Sequence, residues 1–352
     1  MLLFKYMKAE IEAKKSKFLW EICGHDKITD YLKSSILNNS VSHAYVFAGA
    51  ASLGKEVTAT KFIKTLYCQG KGEYLPCGEC SACRQIESKV YPDVYYLRRL
   101  VDEKSGKLKR DISVEQVREL KTKLSQSTLL RSWKIAIIEE AEALNGNSAN
   151  SLLKVLEEPT AKTFIILITS DISRLPKTII SRSLILNFLP VKREEIKNYL
   201  MSREIAEEKA DKISRLALGR PGSAVSLAED SEALGEMQKN FDDFFEVFNN
   251  DLSSRLKNME FLIDWEKDES LNIKKLLRLL DNWQSALRDL ILLLNYNEAG
   301  LANIKTVRVA AGMKPASWSK ILNADLLIVE AKKMFDSNIS SKNILENILI
   351  NL

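Results

Sequence analysis

A glycine-lysine loop directly behind a short apolar run is the feature that most constrains the fold of this chain. Residues 49–56 read Gly-Ala-Ala-Ser-Leu-Gly-Lys-Glu, and the apolar run Tyr-Val-Phe-Ala at 45–48 comes immediately before them. The pattern Gly-x-x-x-x-Gly-Lys-[Ser/Thr] is typical of a phosphate loop, whose backbone N–H groups cradle phosphates between a strand and a helix. The sequence therefore predicts a strand, a loop and a helix in this order, within an α/β domain.

The loop matches the phosphate-loop pattern at three positions and departs from it at the last. Gly49, Gly54 and Lys55 fit the pattern, whereas Glu56 stands where a serine or threonine hydroxyl would ligate magnesium. A carboxylate adds negative charge beside the phosphates and does not reproduce the geometry of the hydroxyl. The alternative is a glycine turn that holds no ligand. We predict descent from a phosphate loop, and ATP binding at this loop stays open.

An acidic pair closes a second apolar run. Residues 134–138 read Lys-Ile-Ala-Ile-Ile, and Glu139 and Glu140 follow directly. In phosphate-loop enzymes such a pair holds magnesium with its first carboxylate, usually an aspartate, and polarises the attacking water with its second. Glu139 is one methylene longer than aspartate, and two acids at a strand end are also common as plain solvated surface. The pair predicts the remnant of a hydrolytic site and not working hydrolysis.

Four clustered cysteines give the firmest chemical signal. They are spaced Cys-x8-Cys-x2-Cys-x2-Cys, at Cys68, Cys77, Cys80 and Cys83. Four thiolates are the number and type of ligand that tetrahedral structural zinc prefers. An iron–sulfur cluster and four unligated thiols are the alternatives, but the spacing differs from the common ferredoxin runs. We predict structural zinc, and we expect Cys23 to be a plain buried thiol.

Composition sets wider limits. At 352 residues the chain has room for two or three domains, and its net charge of +5 is only a weak basic bias. Its apolar runs are too short to cross a bilayer, and its first residues lack the pattern of a signal peptide. Clustered cysteines fit metal binding in a reducing compartment. We expect a cytoplasmic protein with no membrane partner.

Apolar runs alternate with helical segments through the first half of the chain. The runs lie at residues 45–48, 134–138 and 164–168. Strands this apolar, separated by helices, predict a parallel sheet covered on both faces. Ser113 and Gln116 are spaced as a capping box at the start of one helix, and residues 150–158 read as another.

The pattern changes after Pro190, where helical periodicity replaces the strand-like runs. Residues 218–222 give a turn signal, Leu-Gly-Arg-Pro-Gly, and helical spacing dominates the chain beyond it. The fold class is therefore α/β followed by all-α. The sequence predicts three domains, namely a core over 1–189 that carries the cysteine segment 68–83, a small helical domain over 190–230 and a helical domain over 231–352.

Further motifs resemble those of bacterial clamp-loader subunits, which belong to the AAA+ class. They are Gly-His-Asp at 24–26, His-Ala-Tyr-Val-Phe at 43–47, Asn-Ser-Leu-Leu-Lys-Val-Leu-Glu-Glu-Pro at 150–159 and Leu-Pro-Lys-Thr-Ile-Ile-Ser-Arg at 175–182. The resemblance covers nearly the whole chain and points to the delta-prime branch of the DNA polymerase III clamp loader. It implies an AAA+ core with a zinc knuckle, then a helical lid and a helical collar that mediates oligomerisation.

The resemblance also implies roles for residues outside the loop. Arg182, within Ser-Arg-Ser, occupies the position of the family's arginine finger, which assists ATP hydrolysis in a neighbouring subunit. The sensor-one polar residue falls at Thr169 or Ser170. Gly222 stands at the position of the sensor-two arginine, and the role of nearby Arg220 stays open.

Three departures from the ATP-hydrolysing gamma/tau pattern, at Glu56, Glu139 and Gly222, accompany the retained Arg182. The resemblance thus implies a stator without ATPase activity of its own, inside the DNA polymerase III holoenzyme. Its implied partners are gamma/tau and delta subunits in a hetero-pentamer, the sliding clamp and primer–template DNA; its implied cofactor is structural zinc, with ATP left open. Two alternatives remain, an ATP-hydrolysing gamma/tau-like subunit with a drifted loop and an AAA+ repair or recombination protein.

Overall fold

The described chain divides into two structural units. A computed structural model describes residues 18–70, 73–102, 108–126, 133–160, 162–294, 301, 318–335 and 339–352. The first unit comprises the described parts of Met1–Ile196 together with Arg220–Gly222. The second comprises those of Lys197–Gly219 and Ser223–Leu352. The finer division into core, lid and collar remains a prediction.

A parallel sheet forms the centre of the first unit. In the described residues its five strands are β1 (Ala44–Ala48), β2 (Val94–Leu97), β3 (Lys134–Ile138), β4 (Thr163–Thr169) and β5 (Leu184–Asn187). Their order across the sheet is β2-β3-β4-β1-β5, and all neighbours pair in parallel. The predicted parallel sheet is confirmed. Strands β2 and β5 were not predicted, because each has only four residues and is partly exposed.

Helices cover both faces of this sheet. They are α1 (Asp26–Leu37), α2 (Lys55–Tyr67), α3 (Ser81–Glu87), α4 (Val114–Ser125), α5 (Gly146–Glu157) and α6 (Lys177–Ile180). Alternate residues of a strand point to opposite faces. Accordingly, Tyr45 and Phe47 belong to one buried cluster with Phe62 and Phe164, whereas Val46 belongs to another. Burial on both faces explains why β1, β3 and β4 are apolar throughout.

Side-chain caps set the starts of two helices. Ser113 and Gln116 form the predicted capping box of α4, with Gln116 N–H donating to Ser113 Oγ at 3.3 Å. Helix α5 begins at Gly146, earlier than the predicted residues 150–158, because Asn145 caps it by accepting from Ser148 N–H at 2.9 Å. The predicted start of this helix was therefore wrong, because the asparagine cap was not recognised.

The helices of the second half of the chain are α7 (Arg193–Ser202), α8 (Glu207–Leu216), α9 (Pro221–Glu229), α10 (Ser231–Asn249), α11 (Leu252–Leu262), α12 (Glu269–Leu294), α13 (Trp318–Met334) and α14 (Ser341–Asn351). Aromatic packing joins α10 to α12, since the Phe244 ring lies 5.7 Å from that of Trp283 and stacks on Phe248 at 5.3 Å. The predicted helical character after the sheet is confirmed. None of the described helices is long and apolar enough to cross a membrane.

The first glycine of the loop is expected to be irreplaceable. Gly49 has φ 146°, and a Cβ at this residue would lie 2.3 Å from the backbone oxygen of Phe188. We therefore expect Gly49→Ala to lower the free energy of unfolding of the first unit by about 2–4 kcal/mol, measured by chemical denaturation. In the control Gly146→Ala the new Cβ meets no described atom within 4 Å, so stability should hold. Equal effects of the two substitutions would contradict this account of the loop.

Candidate functional site

The loop lysine is folded back onto its own loop. The loop joins β1 to α2, and Gly54, with φ 91°, precedes the helix. Lys55 is 6% exposed, and its Nζ donates to the carbonyl oxygens of Gly49 and of Ala50, the latter at 2.6 Å. Burial lowers the pKa of Lys55, and the charge of Glu142 opposes this shift. The ammonium thus contacts backbone carbonyls of the loop.

Two further carbonyls of the loop have donors within the first unit. The backbone N–H of Gly222 donates to Ser52 O at 2.8 Å, and His25 Nε2 donates to Leu53 O at 2.9 Å. A Cβ at Gly222 would lie 2.9 Å from Ser52 O. The expected sensor-two position therefore touches the loop, and an arginine there would require the loop backbone to move.

One lysine holds both carboxylates that were expected at the metal position. Lys89 Nζ donates to Glu56 Oε1 at 2.6 Å and to Glu139 Oε1 at 2.7 Å. Burial disfavours the charged form of Lys89, but the hydrogen bonds to Glu139 and Glu56 outweigh it and raise its pKa. The ammonium also lies 5.2 Å from the centre of the Tyr96 ring. No sequence motif points to Lys89, which is 33 and 50 residues away from its two partners.

The second acid of the predicted pair is bound by an arginine. Arg99, which follows β2, donates from Nε to Glu140 Oε2 at 2.7 Å and from Nη2 to Glu140 Oε1 at 2.8 Å. Glu140 itself has φ 52°, in the left-handed region. A bidentate guanidinium pair of this kind fixes the orientation of the carboxylate. Because β2 and β3 are neighbours, Arg99 and Glu140 meet at the same edge of the sheet.

The expected sensor-one residues are also engaged locally. The Thr169 hydroxyl, in a side chain that is almost fully buried, donates to Asp171 O at 3.0 Å. Ser170 N–H donates to Glu142 Oε1 at 3.1 Å, and the Ser170 hydroxyl donates to the same oxygen. Burial would raise the pKa of Glu142, but hydrogen bonds from Ser170 outweigh it, so the pKa is lowered. Glu142, a further residue that the sequence analysis missed, is thus a charged neighbour of the loop.

The structure brings the predicted nucleotide-site residues to one edge of the sheet but does not arrange them for magnesium. Magnesium needs oxygen ligands in octahedral geometry, together with substrate phosphates. Here the carboxylates of Glu56 and Glu139 are paired with the ammonium of Lys89, and that of Glu140 with the guanidinium of Arg99. Lys55 contacts the loop backbone. The donor set on this edge therefore does not fit a magnesium-nucleotide complex.

Arg182 lies at the opposite end of the sheet, where the amino ends of the strands are. The loop follows the carboxyl end of β1, whereas Arg182 precedes the amino end of β5, and the two strands pair in parallel from Tyr45 with Leu184. The Arg182 side chain is 38% exposed, and its guanidinium donates to Thr178 O at 3.1 Å and contacts Glu157 Oε1 at 2.9 Å. Arg182 is therefore separated from the loop of its own chain by the length of a strand.

The four cysteines converge as predicted. The sulfur atoms of Cys68, Cys77, Cys80 and Cys83 all lie within 4.8 Å of one another. Tetrahedral zinc, with Zn–S distances near 2.3 Å, places its sulfurs about 3.8 Å apart. Cys68 Sγ accepts from the backbone N–H of Cys77 at 3.3 Å and of Gly70 at 3.4 Å. The cluster can hold a metal ion of the kind that thiolates prefer.

Local structure favours thiolates at the middle of the cluster. Cys80 precedes α3, and burial would raise its pKa, but hydrogen bonds from Cys83 and Gln69 outweigh burial and lower the pKa to about 6. Backbone hydrogen bonds from Cys80 and Glu79 lower the pKa of Cys77. Cys23 lies apart from the cluster and is buried, and burial raises its pKa to about 12. It is the plain buried thiol that the sequence predicted.

Several known proteins that resemble this chain are subunits of DNA polymerase III. The model of a family described as DNA polymerase III, delta subunit, matches residues 24–192. The delta-prime subunit of DNA polymerase III from Bacillus subtilis is 28% identical over 329 residues, which cover 93% of this chain and 95% of that protein. The delta-prime subunit from Pseudomonas aeruginosa is 34% identical over 185 residues, which are 53% of this chain and 54% of that protein.

Among solved structures, a DNA polymerase III gamma-subunit-related protein from Thermotoga maritima matches with a TM-score of 0.44 and 17% identity, over 92% of this chain and 96% of that one. The parallel sheet and the helices after it confirm the expected α/β core followed by a helical region. The family model and these relatives together support a clamp-loader subunit of the delta-prime kind.

Proposed function

We propose that this clamp-loader subunit is a stator without ATPase activity of its own, and that it lends Arg182 to ATP bound in a neighbouring subunit. The placement of Arg182 carries the proposal. Its guanidinium lies at the amino ends of the parallel strands, whereas the phosphate loop of the same chain lies at their carboxyl ends. A phosphate that contacts Arg182 therefore belongs to another molecule, and an arginine supplied in this way stabilises the charge of phosphoryl transfer.

The state of the chain's own loop supports the first half of the proposal. Hydrolysis needs a metal between the loop and the acidic pair and a carboxylate that polarises water. Glu56 and Glu139 instead share Lys89, and Glu140 is bound by Arg99. The carboxylates that would hold magnesium and orient water are thus paired with cations of the protein.

An exposed apolar face in the second unit supports assembly with partners. On α13, Leu322, Leu326 and Val329 are exposed at helical spacing, while Ile321 and Ile328 of the same helix are buried. A helix that is apolar on both faces is typical of one packed against neighbours on both sides. The proposed partners are the gamma/tau and delta subunits of a cytoplasmic hetero-pentamer, which would place the sliding clamp on primer–template DNA.

We also propose that the four-cysteine cluster binds structural zinc. All four ligand positions would be filled by thiolates of the chain, so the metal would keep no open position for substrate. Cys83 lies within α3 and Cys80 directly before it, so the metal would fix this helix relative to the segment that precedes it. The role of the zinc would therefore be to hold α3 in place.

Loss of a cysteine ligand is expected to release the metal. In Cys77→Ser the zinc content, measured by atomic emission, should fall from about one per chain to well below one, and the melting temperature should fall with it, since the metal contributes to folding. Cys23→Ala is the control, because Cys23 lies outside the cluster and should leave the zinc content unchanged. Full zinc content in Cys77→Ser would contradict the ligand set.

The finger assignment predicts a defect that appears only in the assembled loader. With Arg182→Ala, ATP turnover at the site facing this subunit should fall about 10³–10⁵-fold, because the guanidinium no longer stabilises transferred charge. The measurement is clamp- and DNA-stimulated ATP hydrolysis by the reconstituted complex in rapid-mixing experiments, with assembly checked by gel filtration.

Arg174→Ala is the matched control for Arg182. Arg174 is also exposed, but it follows β4 and so lies toward the loop edge of the sheet. We expect its removal to leave turnover unchanged. Normal turnover in an assembled Arg182→Ala complex would remove the finger assignment.

A further inference from the structure

We propose that the ammonium of Lys89 takes the place of magnesium in the degenerate nucleotide site, so that an internal cation of the protein occupies the metal position. This inference extends the proposed loss of hydrolysis and gives it a physical cause. It also assigns a role to a residue outside every motif that the sequence displays.

The position of the ammonium follows from its two partners. In phosphate-loop enzymes, magnesium is held by the residue after the loop lysine and by the first acid after a second strand of the same sheet. Those residues here are Glu56, in the first turn of α2, and Glu139, directly after β3. Lys89 Nζ lies 2.6 Å from the first and 2.7 Å from the second. The ammonium therefore stands between the two positions that define the metal site.

The charge of this group also differs from that of a metal site. Two carboxylates and one ammonium leave one net negative charge, whereas a divalent cation would neutralise both carboxylates. A triphosphate that entered the loop would meet this negative charge without a bridging metal. Arg99 does not offset this negative charge, because its own charge is paired with that of Glu140 through two hydrogen bonds. The single charge of Lys89 balances only one of the two carboxylates, so it offers a nucleotide less positive charge than a divalent cation would.

The helix that follows the cysteine segment places Lys89 at this position. Lys89 follows α3 with φ 57°, and its backbone N–H donates to Ile86 O at 3.1 Å. Ile86 O also accepts from the Tyr96 hydroxyl at 3.4 Å, and the Tyr96 ring lies beside the ammonium. Helix α3 begins directly after Cys80 and contains Cys83, and an ion pair between Lys64 and Glu87 joins its end to α2. Thus the four-cysteine cluster and the degenerate loop are linked through one short helix.

The test is whether magnesium can replace the ammonium once it is removed. The melting temperature of the full, zinc-loaded chain is measured with and without magnesium chloride. Lys89→Ala should lower it by about 1–3 °C, because two partly exposed ion pairs are lost and two carboxylates repel each other. Magnesium should raise the melting temperature of Lys89→Ala back toward that of the wild type, while the wild type itself shows no shift.

Two variants show whether the response comes from this site. Adding Glu56→Gln and Glu139→Gln to Lys89→Ala should abolish the magnesium response, because the carboxylate ligands are gone. Lys64→Ala breaks a different ion pair, with Glu87, that also joins α2 to α3, and it should gain no magnesium response. A wild-type chain that responds to magnesium, a Lys89→Ala chain that does not, or a triple variant that still does would each overturn the inference.

ATP hydrolysis and the magnesium response of the melting temperature separate the proposed function from this inference. ATP hydrolysis by the isolated wild-type chain would contradict the proposed function whatever the magnesium response. Absence of a magnesium response in Lys89→Ala would overturn only the role of Lys89, because the finger and the ring of partners do not depend on it.

Discussion

The five strands of the described sheet run parallel, and this constraint decides which side chains of the chain can act together. The carboxyl end of β1 leads into the loop at Gly49, whereas Arg182 precedes the amino end of β5, the direct neighbour of β1. A guanidinium at the amino ends of the strands and a phosphate loop at their carboxyl ends cannot contact the same phosphate. We propose that the nucleotide site of this subunit is inactive and that Arg182 acts on a neighbour. The direction of the strands supports this proposal more strongly than any single contact does.

Charge pairing within the protein accounts for the three carboxylates that lie beside the loop. Lys89 satisfies Glu56 and Glu139, and Arg99 satisfies Glu140. Unpaired carboxylates this close together would repel one another, and each of the three has a cation of the protein as its partner. Because α3 contains Cys83 and leads into Lys89, the cysteine cluster and the degenerate loop form one structural system rather than two unrelated features.

Signals local in sequence were predictable, and contacts between distant residues were not. The loop spacing, the cysteine spacing and the capping box at Ser113 each lie within a short stretch, and the structure places these residues as predicted. Lys89 has no such signal, because its partners are 33 and 50 residues away and it belongs to no periodic pattern. The contact between Arg182 and Glu157 is likewise visible only once α5 and β5 are placed in the same unit. Strand β5 itself was missed because half-buried runs of four residues resemble loops.

The central claim is that this chain cannot split ATP although it retains the loop lysine. The most direct measurement is magnesium-dependent ATP turnover by the isolated full-length chain, compared with that of Lys55→Ala. The structure predicts that the two are indistinguishable, because Lys55 contacts the carbonyl groups of its own loop and the metal position carries Lys89. Turnover by the wild type that disappears in Lys55→Ala would contradict it.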